Sequence, residues 1–73
     1  MSDERFYIGV DLGGTNIASA VVSAAGALCG KSSIPTPRGC NEIADAIARC
    51  CRMSRRAAEI SCGDVVSVGV GVP

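Results

Sequence analysis

Ile8-Gly9-Val10-Asp11-Leu12-Gly13-Gly14-Thr15-Asn16 is the stretch whose reading decides the fold. An apolar run over residues 6–11 ends on an acidic residue, and two glycines then turn the chain into Ile17-Ala18-Ser19-Ala20-Val21-Val22. These small and β-branched residues carry no helical period, so they read as a second strand returning antiparallel to the first. The aromatic and β-branched members of the first run predict a strand covered on both faces.

Working outward, Ser23-Ala24-Ala25-Gly26 makes the next turn, and residues 27–34 read as a third, weaker strand. Pro35-Thr36-Pro37 ends it, because proline cannot donate to a ladder. From residue 41 to about residue 60 the period changes: Ile43, Ile47, Cys50, Ser54 and Ala57 fall on one helical face at spacings of three and four. Asn41 is the expected N-cap. Glu42 and Asp45 lie early and Arg49, Arg52, Arg55 and Arg56 late, a distribution that complements the helix dipole. Cys62-Gly63-Asp64 stops the helix, and residues 65–72 return to strand character. The glycines there imply a close approach of backbone or ligand.

The fold class is therefore α/β, a β-β-β-α-β unit with a mixed sheet and one crossover helix, the last strand parallel to the first. An open sheet of this kind binds ligands beyond its strand ends. The turn after Asp11 and the segment Gly71-Val72-Pro73 are expected to emerge on the same side. No internal repeat, linker or low-complexity segment interrupts the pattern.

Composition narrows the function. At 73 residues a single core is near the smallest that can stabilise a domain, and Phe6 and Tyr7 are its only aromatic residues, so marginal stability is expected. Seven basic and seven acidic residues cancel, which removes any global field toward nucleic acid or an anionic membrane. Neither is expected as a partner. No apolar stretch approaches the roughly 20 residues of a membrane span, and Met1-Ser2-Asp3-Glu4-Arg5 lacks the basic start of a signal peptide, so a cytoplasmic location is expected. Five cysteines without C-x-x-C spacing, and no histidine, suggest reduced thiols and neither a disulfide framework nor a zinc site.

The turn carries the chemistry. Glycines let backbone N–H groups approach a polyphosphate, and the Thr15 hydroxyl and Asn16 amide add donors without bulk. Asp11 beside a phosphate would repel it unless a cation lay between, so the combination implies Mg²⁺ carrying nucleotide phosphates, held through water. The dinucleotide fingerprint G-x-G-x-x-G fails, since the glycines fall at Gly9, Gly13 and Gly14 and a strand follows. The P-loop fails as well, since Thr15 follows Gly14 with no lysine between. A bare Gly-Gly pair is more often only a hairpin turn; Asp11, Thr15 and Asn16 beside it favour the phosphate reading. Lys31 on the third strand reads as protection of a sheet edge. Arg49, Arg52 and Arg56 read as a solvated basic stripe.

Asp11-Leu12-Gly13-Gly14-Thr15-Asn16 resembles the first phosphate motif of the hexokinase branch of the actin-like ATPase superfamily. Gly14, a second glycine, favours the sugar-kinase branch over actin and chaperone-type members. Within that branch the chain is most similar to the ROK family of sugar kinases and repressors, its glucokinases in particular. The similarity runs from Tyr7-Ile8-Gly9-Val10 through Ile34-Pro35-Thr36-Pro37 and the helix to Val68-Gly69-Val70-Gly71-Val72-Pro73.

The resemblance implies a ribonuclease H-like (actin-like ATPase) domain, with residues 1–73 as its incomplete N-terminal part and the second domain absent. It implies ATP and Mg²⁺ as cofactors, and transfer of the γ-phosphate to the 6-hydroxyl of glucose. By this resemblance Asp11 would help hold hydrated Mg²⁺, while Gly13, Gly14, Thr15 and Asn16 would contact the ATP phosphates. Gly71, Val72 and Pro73 resemble the entry to a loop that shapes the sugar pocket. The family's catalytic Asp, its Cys-rich zinc motif and its adenosine pocket lie past residue 73, so no catalytic residue and no turnover are expected of these residues alone. A homo-oligomer is compatible with the intact protein.

Two other readings follow from the same residues. The family's repressors place a winged helix before this domain, and only five residues precede Phe6. A truncated gene product without function would leave the fourth strand's edge unpaired and one sheet face uncovered.

Overall fold

The computed structural model describes residues 5–71. The acidic start at residues 1–4, and Val72 and Pro73 of the expected last strand and loop, lie outside the described residues. Three strands come first, β1 (Phe6–Leu12), β2 (Asn16–Ser23) and β3 (Leu28–Pro35), then the helix α1 (Cys40–Ala57), a 3-10 turn (Cys62–Asp64) and β4 (Val65–Gly71). The sheet order is β3-β2-β1-β4. β1 pairs antiparallel with β2 and parallel with β4, and β2 pairs antiparallel with β3. The chain thus has the β-β-β-α-β order and mixed sheet that its sequence pattern predicts.

Alternation along the strands sets the core. Phe6, Ile8 and Val10 of β1, Ile17 and Val21 of β2 and Ile34 of β3 are buried beneath Ala46 and Cys50 of α1. Tyr7, Gly9 and Asp11 point the other way and are exposed. The expected cover on both faces of β1 is therefore not found among the described residues: Tyr7 is 41% exposed. Among the described residues one sheet face carries a helix and the other none, and a continuous apolar run does not reveal that asymmetry.

α1 crosses β2 and β3 and barely reaches β1. Its position is fixed by a small polar contact inside the core. The Ser19 hydroxyl donates to the Cys50 carbonyl at 2.9 Å, and the Cys50 thiol donates back to Ser19 Oγ at 3.3 Å. A second contact comes from Gly30, where an added Cβ would lie 2.7 Å from both Ala58 N and Ser54 O. Glycine there lets the last turn of the helix rest on the backbone of β3. Because α1 stays on that side, Val66, Val68 and Val70 of β4 remain about half exposed.

Both helix ends differ from the sequence expectation. The N-cap is Gly39, in extended conformation and with no side-chain cap, while Asn41 sits exposed within the first turn. The helix closes at Ala57 rather than near residue 60. Glu59 takes a left-handed conformation (φ 58°), with Glu59 N–H donating to Arg56 O and Ile60 N–H to Arg55 O. That pair of bonds is a Schellman closure, in which the left-handed position is usually glycine. The inward face is Ala46, Cys50 and Ser54, with Ile43 and Ile47 half-buried; Ala57 faces solvent.

Candidate functional site

The turn between β1 and β2 is held by three hydrogen bonds. Gly13 N–H donates to Asn16 O at 3.0 Å, closing the hairpin on itself. The room there is tight, since a Cβ at Gly13 would meet Asn16 O at 3.0 Å; at Gly14 nothing lies within 4 Å. The other two bonds come from Thr36, just past the end of β3. The Thr36 hydroxyl donates to Gly13 O at 2.8 Å, and Thr36 N–H donates to Thr15 O at 2.9 Å.

These bonds leave the polar groups of the loop unequally partnered. The carbonyls of Gly13 and Thr15 are occupied from inside. The N–H groups of Gly14 and Thr15 have no backbone partner among the described residues. Gly14, Thr15 and Asn16 are all exposed. An exposed loop with unpartnered N–H groups has the donors that an anion-binding backbone nest needs.

Asp11 stands one residue before the end of β1, on the face opposite the core. Its neighbours in register are Ala18 on β2 and Gly71 on β4, neither of which crowds it. The parallel pairing thus brings the end of β4 beside the end of β1, and Gly71 stands next to Asp11 as the sequence pattern predicts; Val72 and Pro73 are outside the described residues. Among the described residues no three His, Cys, Asp or Glu side chains gather. A lone carboxylate suits Mg²⁺, which keeps several waters and takes its other ligands from substrate phosphates.

Asp11 also borders a concavity of about 830 Å³ on the uncovered sheet face, floored by Gly9, Ala18, Ala20 and Gly69 and bounded by Lys31. Lys31 lies on an edge strand, consistent with a role in protecting that edge. On the helix side a smaller cleft of about 540 Å³ is lined by Thr36, Glu42, Asp45, Arg49 and Arg52. There the basic stripe alternates with acidic residues, so its charge is locally balanced.

The sequence reading missed Thr36. Between two prolines it reads only as a strand end, and its contacts span 21 and 23 positions of chain, beyond any local pattern. It also missed Gly30, whose contact with the helix depends on how α1 settles.

No protein-family model matches the chain. It is 42% identical over 64 residues to a glucokinase of Streptomyces coelicolor, a match covering 88% of this chain and 19% of the relative. It is 38% identical over 79 aligned positions to a glucokinase of Halalkalibacterium halodurans, covering all of this chain and 22% of that one. The fold superposes on a ROK family glucokinase from Streptomyces griseus, in complex with glucose and AMPPNP, with a TM-score of 0.77 and 34% identity over 92% of this chain and 20% of that one. A ROK hexokinase from Thermus thermophilus gives a TM-score of 0.82 at 33% identity over 93% of this chain and 22% of that one. The chain spans about a fifth of the length of the relatives it matches.

Proposed function

The chain matches the N-terminal portion of ROK-family glucokinases and hexokinases, and from that premise we propose that it is the phosphate-and-metal segment of an ATP-dependent hexose kinase. The substrate we propose is glucose, phosphorylated at its 6-hydroxyl by the γ-phosphate of ATP. On this reading residues 1–73 are the first part of a two-domain, cytoplasmic enzyme.

The observation that carries the reading is the placement of Asp11 beside an exposed turn whose Gly14 and Thr15 N–H groups have no backbone partner among the described residues. Gly14 and Thr15 donate to the phosphates, and the Thr15 hydroxyl and Asn16 side chain add further donors. Gly13, whose N–H is committed to Asn16 O, shapes the turn. Asp11 would hold Mg²⁺, which when bound would neutralise phosphate charge. Phosphoryl transfer relies on such positioning and electrostatics, together with a group that orients the attacking hydroxyl. Asp11 is assigned to the metal and not to that role, and we propose that residues 1–73 alone turn over no substrate.

A chimera tests this. Residues 1–73 replace the matching segment of the Streptomyces coelicolor glucokinase, and glucose-dependent ATP consumption is measured. The reading predicts an active chimera whose activity is lost in Asp11→Asn with folding intact by circular dichroism. A folded but inactive parent chimera, or an active D11N form, would overturn it.

A further inference from the structure

We propose that Thr36 is a positioning residue that aims the Gly14 N–H of the phosphate turn. The proposal rests on the phosphate-site reading above and adds what holds that site in shape.

The peptide group is planar and trans, so its carbonyl and the following N–H point in opposite directions. Fixing one fixes the other. The Gly13 carbonyl belongs to the same peptide plane as Gly14 N–H, and the Thr15 carbonyl to the same plane as Asn16 N–H. Thr36 binds both carbonyls, one by its hydroxyl at 2.8 Å and one by its backbone N–H at 2.9 Å. A single residue therefore pins two planes and with them two N–H directions.

The pinning matters most at Gly13-Gly14. With glycine on both sides, the plane between them can rotate with little steric resistance. Rotation would replace the outward Gly14 N–H with an outward Gly13 carbonyl and turn an anion-attracting loop into a repelling one. The Thr36 hydroxyl is what opposes that rotation, since Gly13 O has no other side-chain donor among the described residues.

Thr36 is itself rigid. Pro35 precedes it, Pro37 confines its backbone to extended conformations, and its β-branched side chain has few rotamers. The donor is thus set before any ligand arrives.

The test uses the whole chain with Thr36→Val, which keeps the shape and the backbone N–H but loses the hydroxyl, and Thr36→Ser, which restores it. Two readouts are taken: the amide resonance of Gly14 without ligand, and the dissociation constant for Mg-ATP. T36V is expected to shift or broaden the Gly14 amide and weaken Mg-ATP by about tenfold, the loss of one directed hydrogen bond. T36S is expected to return both close to the parent. Circular dichroism confirms that each variant is folded. A Gly14 amide unchanged in T36V overturns the proposal, as does undiminished Mg-ATP binding. If the parent itself fails to bind Mg-ATP while T36V still displaces the Gly14 amide, the phosphate-site reading fails and the pinning of the turn stands.

Discussion

Asp11 and Gly71 stand in register in the parallel pairing of β1 with β4. The crossover through α1 therefore brings two chain segments 60 positions apart to the same sheet end, one carrying a carboxylate and the other no side chain. The pairing leaves Asp11 with no side chain beside it on β4. The Gly14-Thr15 turn lies immediately beyond it.

The two turn glycines differ in what they tolerate. Gly13→Ala places a methyl group 3.0 Å from Asn16 O, while Gly14→Ala meets nothing within 4 Å. In urea unfolding we expect G13A to lose about 1 kcal/mol and G14A to stay within about 0.5 kcal/mol of the parent. Equal losses would show that the turn is looser than its bonds imply.

Gly30 supports the helix. Gly30→Ala drives a Cβ to 2.7 Å from Ala58 N and Ser54 O, both backbone atoms that cannot rotate away. We expect a loss of about 2–3 kcal/mol, which for so small a core unfolds much of the population at room temperature. Gly9→Ala, with nothing within 4 Å, is the control. Far-ultraviolet circular dichroism of the two separates them.

Glu59 occupies the left-handed position of the helix closure with an exposed side chain. Glu59→Gly is expected to stabilise the chain by about 0.5–1 kcal/mol, since relief of left-handed strain exceeds the added entropy of the unfolded state. The midpoint of thermal unfolding reports it. A lower midpoint contradicts the assignment of strain.

The thiols should label in order of exposure. Cys40 is exposed and Cys50 fully buried. Burial chiefly, with the neighbouring Cys50 second, raises the Cys51 thiol above its ordinary value. Of these three thiols, iodoacetamide at pH 8 should modify Cys40 first and Cys51 slowly, with Cys50 protected until unfolding. Because the folded value for Cys51 is the higher one, its contribution to stability is complete below the ordinary thiol range and is lost as pH rises through the raised value. A Cys51→Ala variant should show a shallower loss of stability on the alkaline side.

The sheet was legible from residue types. β-branched runs on either side of Gly13-Gly14, and a third run closed by Pro35, specify antiparallel neighbours, and the helical spacing of Ile43, Ile47 and Cys50 specifies the crossover. What stayed hidden depends on how elements meet. Phe6, Ile8 and Val10 are separated from Tyr7, Gly9 and Asp11 only once α1 has chosen a face. Asn41 is a better capping residue than Gly39, yet the backbone enters the helix two residues earlier. Glu59 carries no sequence mark of a left-handed residue. In the site, Asp11 and the turn could be read locally, but Thr36 could not, since its partners are brought to it by the β2–β3 pairing.

The most direct measurement follows the backbone amides of the chain while Mg-ATP is titrated in, with ATP alone and Asp11→Asn as comparisons. The account predicts that Gly14 and Thr15 respond first, that removing Mg²⁺ weakens the response by about tenfold, and that D11N removes that dependence on the metal. A response spread evenly over the sheet, or one confined to the basic stripe of α1, would contradict it.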